Sequence, residues 1–246
     1  MREQQAVAEV LGALDDKIAS NAVIADVATS LAGVLFDASV QHGQIRWVPL
    51  GNVARTALGG TPSRKSIAYW TNGSVAWLKS GKANEPRVVT PSALITEEAL
   101  ARSAAKLMPQ GATIVAITGA TLGQVARLEI PASGNQSLVG IWAEDPGLND
   151  WLYVAVQRQI VELIKSATGA AQQHVNKRDV DSLKVPLVSA TQVDAWGAIA
   201  RPLFDRAATA DRESLELIGV RNALLPLLMS GKLRVKDAGK IAEEVL

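Results

Sequence analysis

Near the N-terminus the large apolar residues fall at Val7, Leu11, Leu14 and Ile18, an alternation of four and three that predicts a helix from Glu3 to about Val40 with one face packed on another helix. Beyond Asn21 the best apolar register moves to Ile24, Val27, Leu31 and Val34, so the stripe is expected to drift around the helix. Asn21 itself stands where a polar residue in the seam can fix pairing register, its competing reading being an exposed amide. At the other end, Trp196, Ala200, Leu203, Ala207, Ala210, Ser214, Leu217, Arg221, Leu224 and Leu228 repeat the four/three alternation and predict a second long helix. Its middle positions are small and permit close backbone approach; Pro226 is expected to bend its last turns, and Gly231 suits its C-terminal cap. Each helix is on the order of 50 Å long at ~1.5 Å per residue, too long for a small domain to cover. The two are therefore expected to pair antiparallel, or to pair with another subunit.

Between them the pattern changes to short β-prone runs punctuated by Gly, Pro and Asn: "IRWVPL" (45–50), "VAWLKS" (75–80), "TIVAIT" (113–118), "QVARLEI" (124–130) and "LVGIWA" (138–143). A helix is predicted from Asp150 to Ala167, with Asn149 or Asp150 as N-cap and Gly169 past its end. A short helix in "NKRDVDSL" capped by Asn176 follows, and "KVPLV" reads as an edge strand because Pro186 lacks an amide donor. The fold class is α+β: a mixed α/β domain (41–189) inserted between a first helix (1–40) and a second (190–232) that form an antiparallel coiled-coil spacer, with a short tail (233–246).

The 246 residues are 48% hydrophobic and 20% charged, a globular balance, and no apolar run reaches the ~20 residues of a membrane span, so no membrane association is expected. The first residues lack the apolar core and cleavage site of a signal peptide, which predicts a cytoplasmic protein. There is no cysteine and only His42 and His174, so no disulfide framework, thiolate metal site or cysteine nucleophile is available; no metal site is predicted. The net charge of +1 hides an uneven distribution: residues 1–40 hold two Lys/Arg against six Asp/Glu, 41–189 hold fifteen against ten, and 190–246 hold eight against eight. Within the middle domain, residues 46–82 carry six cations (Arg46, Arg55, Arg64, Lys65, Lys79, Lys82) and no acid, as a surface facing phosphates requires; a solvated basic face is the plainer alternative.

"GGTPSR" (59–64) offers glycine amides and the donors of Thr61, Ser63 and Arg64 to an anion, but lacks the lysine and following helix of a nucleotide loop, so a simple turn competes with it. "GATLG" (119–123) reads as a hairpin turn, with Thr118 and Thr121 as possible exposed contacts. "ATGAAQQHVNKRD" (167–179) gathers Gln172, Gln173, Asn176, Lys177 and Arg178; amides can bond an adenine edge, and cations can hold phosphate or guanine. A glutamine that only satisfies loop backbone looks the same in sequence.

In this order, "EQQAVAEVLGALDDKIASN", "LGGTPSRKSIAYWTNGSVAWLKSG", "ITEEALARSAAKLMPQGATIVAITGATLGQVARLEIPASGNQSLVG", "ATGAAQQHVNKRDVDSLKVPL" and "RNALLPLLMSGKLRV" resemble the DNA specificity subunit of type I restriction-modification systems over nearly the whole chain. The resemblance implies a target recognition domain on paired spacer helices. It also implies a subunit that directs methyltransferase and restriction-translocase partners to double-stranded DNA, without catalytic residues or a cofactor of its own. S-adenosylmethionine is then expected on the methyltransferase partner. Family members carry two recognition domains and two spacers, so this chain resembles half a subunit, and two self-associated copies are expected to read a palindromic, interrupted target.

Because relatives reading different DNA share "GGTPSR"-like and "GATLG"-like stretches, those motifs are expected to build the platform. Phosphate contacts are assigned to Arg64, Lys65, Lys79, Lys177 and Arg178, and base or groove contacts to Ser63, Tyr69, Trp70, Asn135, Gln136, Gln172 and Gln173. Trp70 and Trp77 are also expected to be partly buried. The helix seam is assigned to Leu11, Leu14, Ile18, Leu31, Trp196, Leu203, Leu217 and Leu224. Two rival readings are a coiled-coil assembly or regulatory fragment that binds the methyltransferase without reading DNA, and a hydrolase or nucleotide-using enzyme built on Ser63, Thr121 and His174. The second lacks a positioned base to activate a hydroxyl.

Overall fold

The structure, a computed structural model, describes residues 2–167, 175–243 and 245. Its helices are α1 (Arg2–His42), α2 (Glu97–Arg102), α3 (Pro146–Ala167), α4 (Lys177–Ser182), α5 (Ala190–Met229) and α6 (Val235–Glu243). Its strands are β1 (Arg46–Pro49), β2 (Arg55–Leu58), β3 (Val75–Leu78), β4 (Arg87–Val88), β5 (Ala93–Ile95), β6 (Thr113–Ala116), β7 (Val125–Leu128), β8 (Ser133–Gly134), β9 (Leu138–Trp142) and β10 (Lys184–Leu187). Two compact units result, Met1–Ala32 with Pro202–Leu246, and Gly33–Arg201.

The first unit is the antiparallel pair of α1 and α5. Asp15 accepts a bond from Arg221 at 2.6 Å and Lys17 pairs with Glu213 at 3.1 Å, while Ala25 and Ala28 lie with Ala207 and Ala210, so one helix ascends as the other descends. Leu14, Leu217, Leu224 and Leu228 are buried, with Leu11 and Ile18 packed against them; Leu203 packs on the alanine cluster. The seam does not drift as expected. After Ile18 it continues at unbroken three/four spacing through Asn21, Ala25, Ala28 and Ala32, all buried, leaving Val27 and Leu31 61% and 45% exposed. Small side chains bring the helices close, so alanines rather than the larger residues one position away occupy the contact. Asn21 is wholly buried, and neither its amide nitrogen nor its oxygen makes a hydrogen bond of ordinary geometry.

Gly231 adopts φ +67° just past α5 and donates to the Leu228 carbonyl, the left-handed cap expected of it. The segment after it is a helix rather than a plain tail: α6 buries Ala238 and Ala242 on Leu14, Leu224 and Leu228. By length and composition alone, Val7–His42 in α1 is apolar enough to cross a membrane. Sequence reading missed this because Asp15, Asp16, Lys17, Asp26 and Asp37 interrupt the run, and Leu14, Ala25 and Ala28 are buried against α5 partners.

The second unit holds three small sheets. The five-stranded sheet runs β2-β9-β6-β7-β4, a three-stranded sheet runs β5-β3-β8, and β1 and β10 pair alone. Pro186 sits opposite Trp47 in that two-stranded ribbon, so "KVPLV" is an edge strand but extends neither larger sheet. Leu78, Val88, Met108, Ile114, Ala126, Leu128 and Leu138 form one core cluster of this unit. The third helix begins four residues earlier than expected: Asp145 accepts from the Gly147 amide at 2.8 Å, and Pro146 occupies the first turn, where no amide donor is needed. Asn149, expected as a cap, instead lies inside α3 and accepts from the Ala143 amide at 2.7 Å.

Candidate nucleic-acid interface

Strand register brings four loops to one end of the five-stranded sheet. Leu58 faces Val139, Ala116 faces Leu138 and Val115 faces Val125, so the segment after β2, the turn before β9 and the β6–β7 hairpin emerge together. The Ile117 amide donates to the Ser137 carbonyl at 2.9 Å and the Val175 amide to the Ile117 carbonyl at 2.9 Å, which adds the start of the α4 segment. The Asn135 amide donates to the Leu78 carbonyl, which places Lys79 beside the same rim.

The glycines of "GGTPSR" are close-packing residues. A β-carbon on Gly59 would lie 2.1 Å from the Asn135 carbonyl oxygen, and one on Gly60 2.4 Å from the Ala104 carbonyl carbon. Their amides donate to the carbonyls of Leu138 and Gly134, so neither is available to cradle a phosphate, and the anion-loop expectation gives way to a structural one. The same loop is pinned by two indoles: Trp77 Nε1 donates to the Gly60 carbonyl and Trp70 Nε1 to the Ser63 carbonyl, each at 3.1 Å. "GATLG" closes the β6–β7 hairpin as expected, with Gly119 and Gly123 at φ +69° and +82°.

Upon this platform Ser63, Arg64, Lys65 and Lys79 are exposed. The Arg64 guanidinium lies over Trp70, 3.6 Å from the ring centroid, with Trp77 at 5.0 Å, so it is presented on an aromatic support rather than free in solvent. Among the described residues no carboxylate pairs with Arg64, Lys65 or Lys79. Gln136 is exposed and accepts from Thr61 Oγ1 at 2.7 Å, tying two of the loops together.

Other expected contacts are committed elsewhere. Lys177 pairs with Asp181 at 2.7 Å, one turn along α4, and the same carboxylate accepts from Thr56, so Lys177 anchors α4 beside β2 rather than standing free for phosphate. Arg178 is exposed beyond the Asn176 cap, whose oxygen accepts from the Arg178 and Asp179 amides. Asn135 turns its side-chain oxygen to the Ser137 amide at 3.1 Å and shapes its own turn. Tyr69 and Trp70 are half-buried against Val75, Trp77, Ile95 and Ala99, the partial burial expected of Trp70. Gln172, Gln173 and His174 lie outside the described residues.

Sequence reasoning missed a buried charge cluster away from this rim. Arg127 donates to Asp150 through Nε and Nη2 at 3.1 and 2.8 Å and pairs with Glu129, and Arg201 reaches the second Asp150 oxygen at 3.2 Å. Burial disfavours the Arg127 charge, but Glu129 and Asp150 more than offset it and hold the guanidinium above its ordinary range. Nearby, burial pushes the Tyr153 phenol up to about 12. The only sequence signal was four charges inside or beside apolar runs.

Residues 46–197 match the family model described as the type I restriction modification DNA specificity domain. The chain belongs to that family. It is similar to the EcoR124I/EcoR124II specificity subunit of Escherichia coli, 27% identical over 154 residues that cover 61% of this chain and 38% of that protein. It is also similar to the MjaIX specificity subunit of Methanocaldococcus jannaschii, 21% identical over 76% of this chain and 44% of that protein. Among solved structures the S subunit from M. genitalium shares the fold, with a TM-score of 0.67 at 18% identity over 93% of this chain and 61% of its own. The chain therefore spans less than two thirds of these relatives' lengths.

Proposed function

We propose that this specificity-family chain binds double-stranded DNA sequence-specifically and reads one half of a bipartite target. The observation that carries the reading is the set of exposed cations Arg64, Lys65 and Lys79, paired with no carboxylate among the described residues, on a loop platform at one end of the five-stranded sheet. The stacked Arg64 is poised for a backbone phosphate, Lys65 and Lys79 extend the positive surface around it, and exposed Arg178 on α4 is a further phosphate contact. On this reading the chain is non-catalytic and cytoplasmic. Methyltransferase subunits dock on the helix pair and carry S-adenosylmethionine, and a restriction-translocase subunit joins them. Val23, Val27 and Leu31 on α1, each exposed by 45% or more, offer apolar surface for such docking or for a second copy of the chain.

The test is duplex binding measured against salt. The triple variant with Arg64, Lys65 and Lys79 each changed to Ala should bind every duplex more weakly, with a log–log salt slope reduced by about 2–3. Unchanged binding would place the surface elsewhere. A wild-type chain with no salt-sensitive duplex affinity would favour the rival regulatory fragment, which uses the apolar face of α1 alone.

A further inference from the structure

We infer that Ile67 is a specificity-determining residue, an apolar finger that packs on the 5-methyl group of a thymine in the major groove. The inference rests on the DNA-binding reading and names a residue which that reading leaves unused. Ile67 is 77% exposed, more than any other large hydrophobic residue of its unit. It follows Arg64, Lys65 and Ser66 in the acid-free stretch, so the side chain stands out from a cationic surface.

Its exposure is held in place. Ile67 opens a 3₁₀ turn, its carbonyl accepts from the Trp70 and Thr71 amides at 3.0 Å each, and Ser66 accepts from the Tyr69 amide. The turn is fastened from outside by Thr96, whose amide donates to the Tyr69 carbonyl at 3.0 Å and whose hydroxyl donates to Ala68 at 3.2 Å. Tyr69 and Trp70 are drawn inward onto Val75, Trp77 and Ile95, and the same turn directs Ile67 outward. A protein partner would select a contiguous apolar patch, but the adjoining Lys65 and Ser66 are polar. An exposed branched side chain that closely follows two exposed cations, Arg64 and Lys65, instead matches what the major groove presents at thymine, a methyl group flanked by phosphates.

The experiment uses the full chain with its methyltransferase partners and the duplex identified from the sites methylated in cells carrying the system. Each thymine of that duplex is replaced singly by deoxyuridine, which removes only the methyl group. The wild-type complex should lose roughly three- to tenfold in affinity at one thymine. Ile67→Ala should bind the parent duplex more weakly by a similar factor and be indifferent to that replacement, while Ile67→Val retains the sensitivity. Thermal unfolding of Ile67→Ala should match wild type, as the side chain is exposed. Uridine sensitivity that persists in Ile67→Ala, or an equal loss on target and unrelated DNA, would overturn the assignment. A wild-type complex that does not prefer its target over unrelated duplex would sink the DNA-reading proposal itself, and this one with it.

Discussion

Trp151 is fully buried where three elements of the domain meet. Its ring lies 4.3 Å from Phe36 of α1 and 5.4 Å edge-on from Trp196 of α5, and its Nε1 donates to the Pro186 carbonyl of β10 at 2.8 Å. One indole thus ties the end of the first long helix and the start of the second to the β-ribbon. Trp151→Ala should cost about 3–5 kcal/mol of stability, read as a lower midpoint in urea unfolding, because it removes a large buried side chain and leaves the Pro186 carbonyl without that donor. Sequence marked Trp196 through its period but left Trp151 as one apolar residue of a helix, since no local pattern says which aromatic receives the others. The glycines at 59 and 60 were visible as a motif, yet their purpose was not. Close approach to Asn135 and Ala104 depends on chain segments 40 to 80 residues away.

At the level of elements, the α1–α5 pair is held by alanines at its middle and leucines toward one end. Ala210 is wholly buried, and Ala210→Leu should force the helices apart at a cost of about 1–3 kcal/mol, seen as a lower melting temperature. A pH effect belongs to the same pair. The hydrogen bond from Lys17 holds the Glu213 carboxyl below its ordinary value of 4.5. A depressed carboxylate stabilises the folded state fully above the unfolded value, and that contribution is lost as pH falls through the folded one. Acid titration of the melting temperature should therefore show a decline below the carboxylate range that is shallower in Lys17→Met. The long helices were legible because a four/three period survives any amino-acid identity. Their register in the second half was not, because hydrophobicity ranks Val27 and Leu31 above Ala25 and Ala28 while close packing ranks them the other way. β2, β4, β5 and β8 went unpredicted, being two to four residues long and lacking room for an alternating pattern to develop.

For the whole molecule, charge and length are the informative quantities. The excess of cations is confined to the middle domain, while residues 1–40 are acidic, so DNA is expected on the domain and not along the first helix. The match covers 38% of the EcoR124I/EcoR124II subunit and 61% of the M. genitalium S subunit, and a bipartite target calls for two recognition domains in the assembly. On the proposed reading, light scattering of the purified chain with methyltransferase subunits should give a mass containing two copies of the chain. A single copy in every state would restrict it to half-site binding.

The sequence by itself determined that two long helices enclose a mixed α/β domain, where their first seam lies, and which stretch is cationic and acid-free. All of these follow from period and composition, which are local properties of the chain. Tertiary structure decided which alanines meet, which loops share one end of the sheet, and which candidate cations are already paired. It turned Lys177 toward Asp181, laid Arg64 on Trp70 and left Ile67 outside. Those outcomes depend on contacts between segments far apart in sequence, and no local pattern encodes a partner that only folding brings within reach.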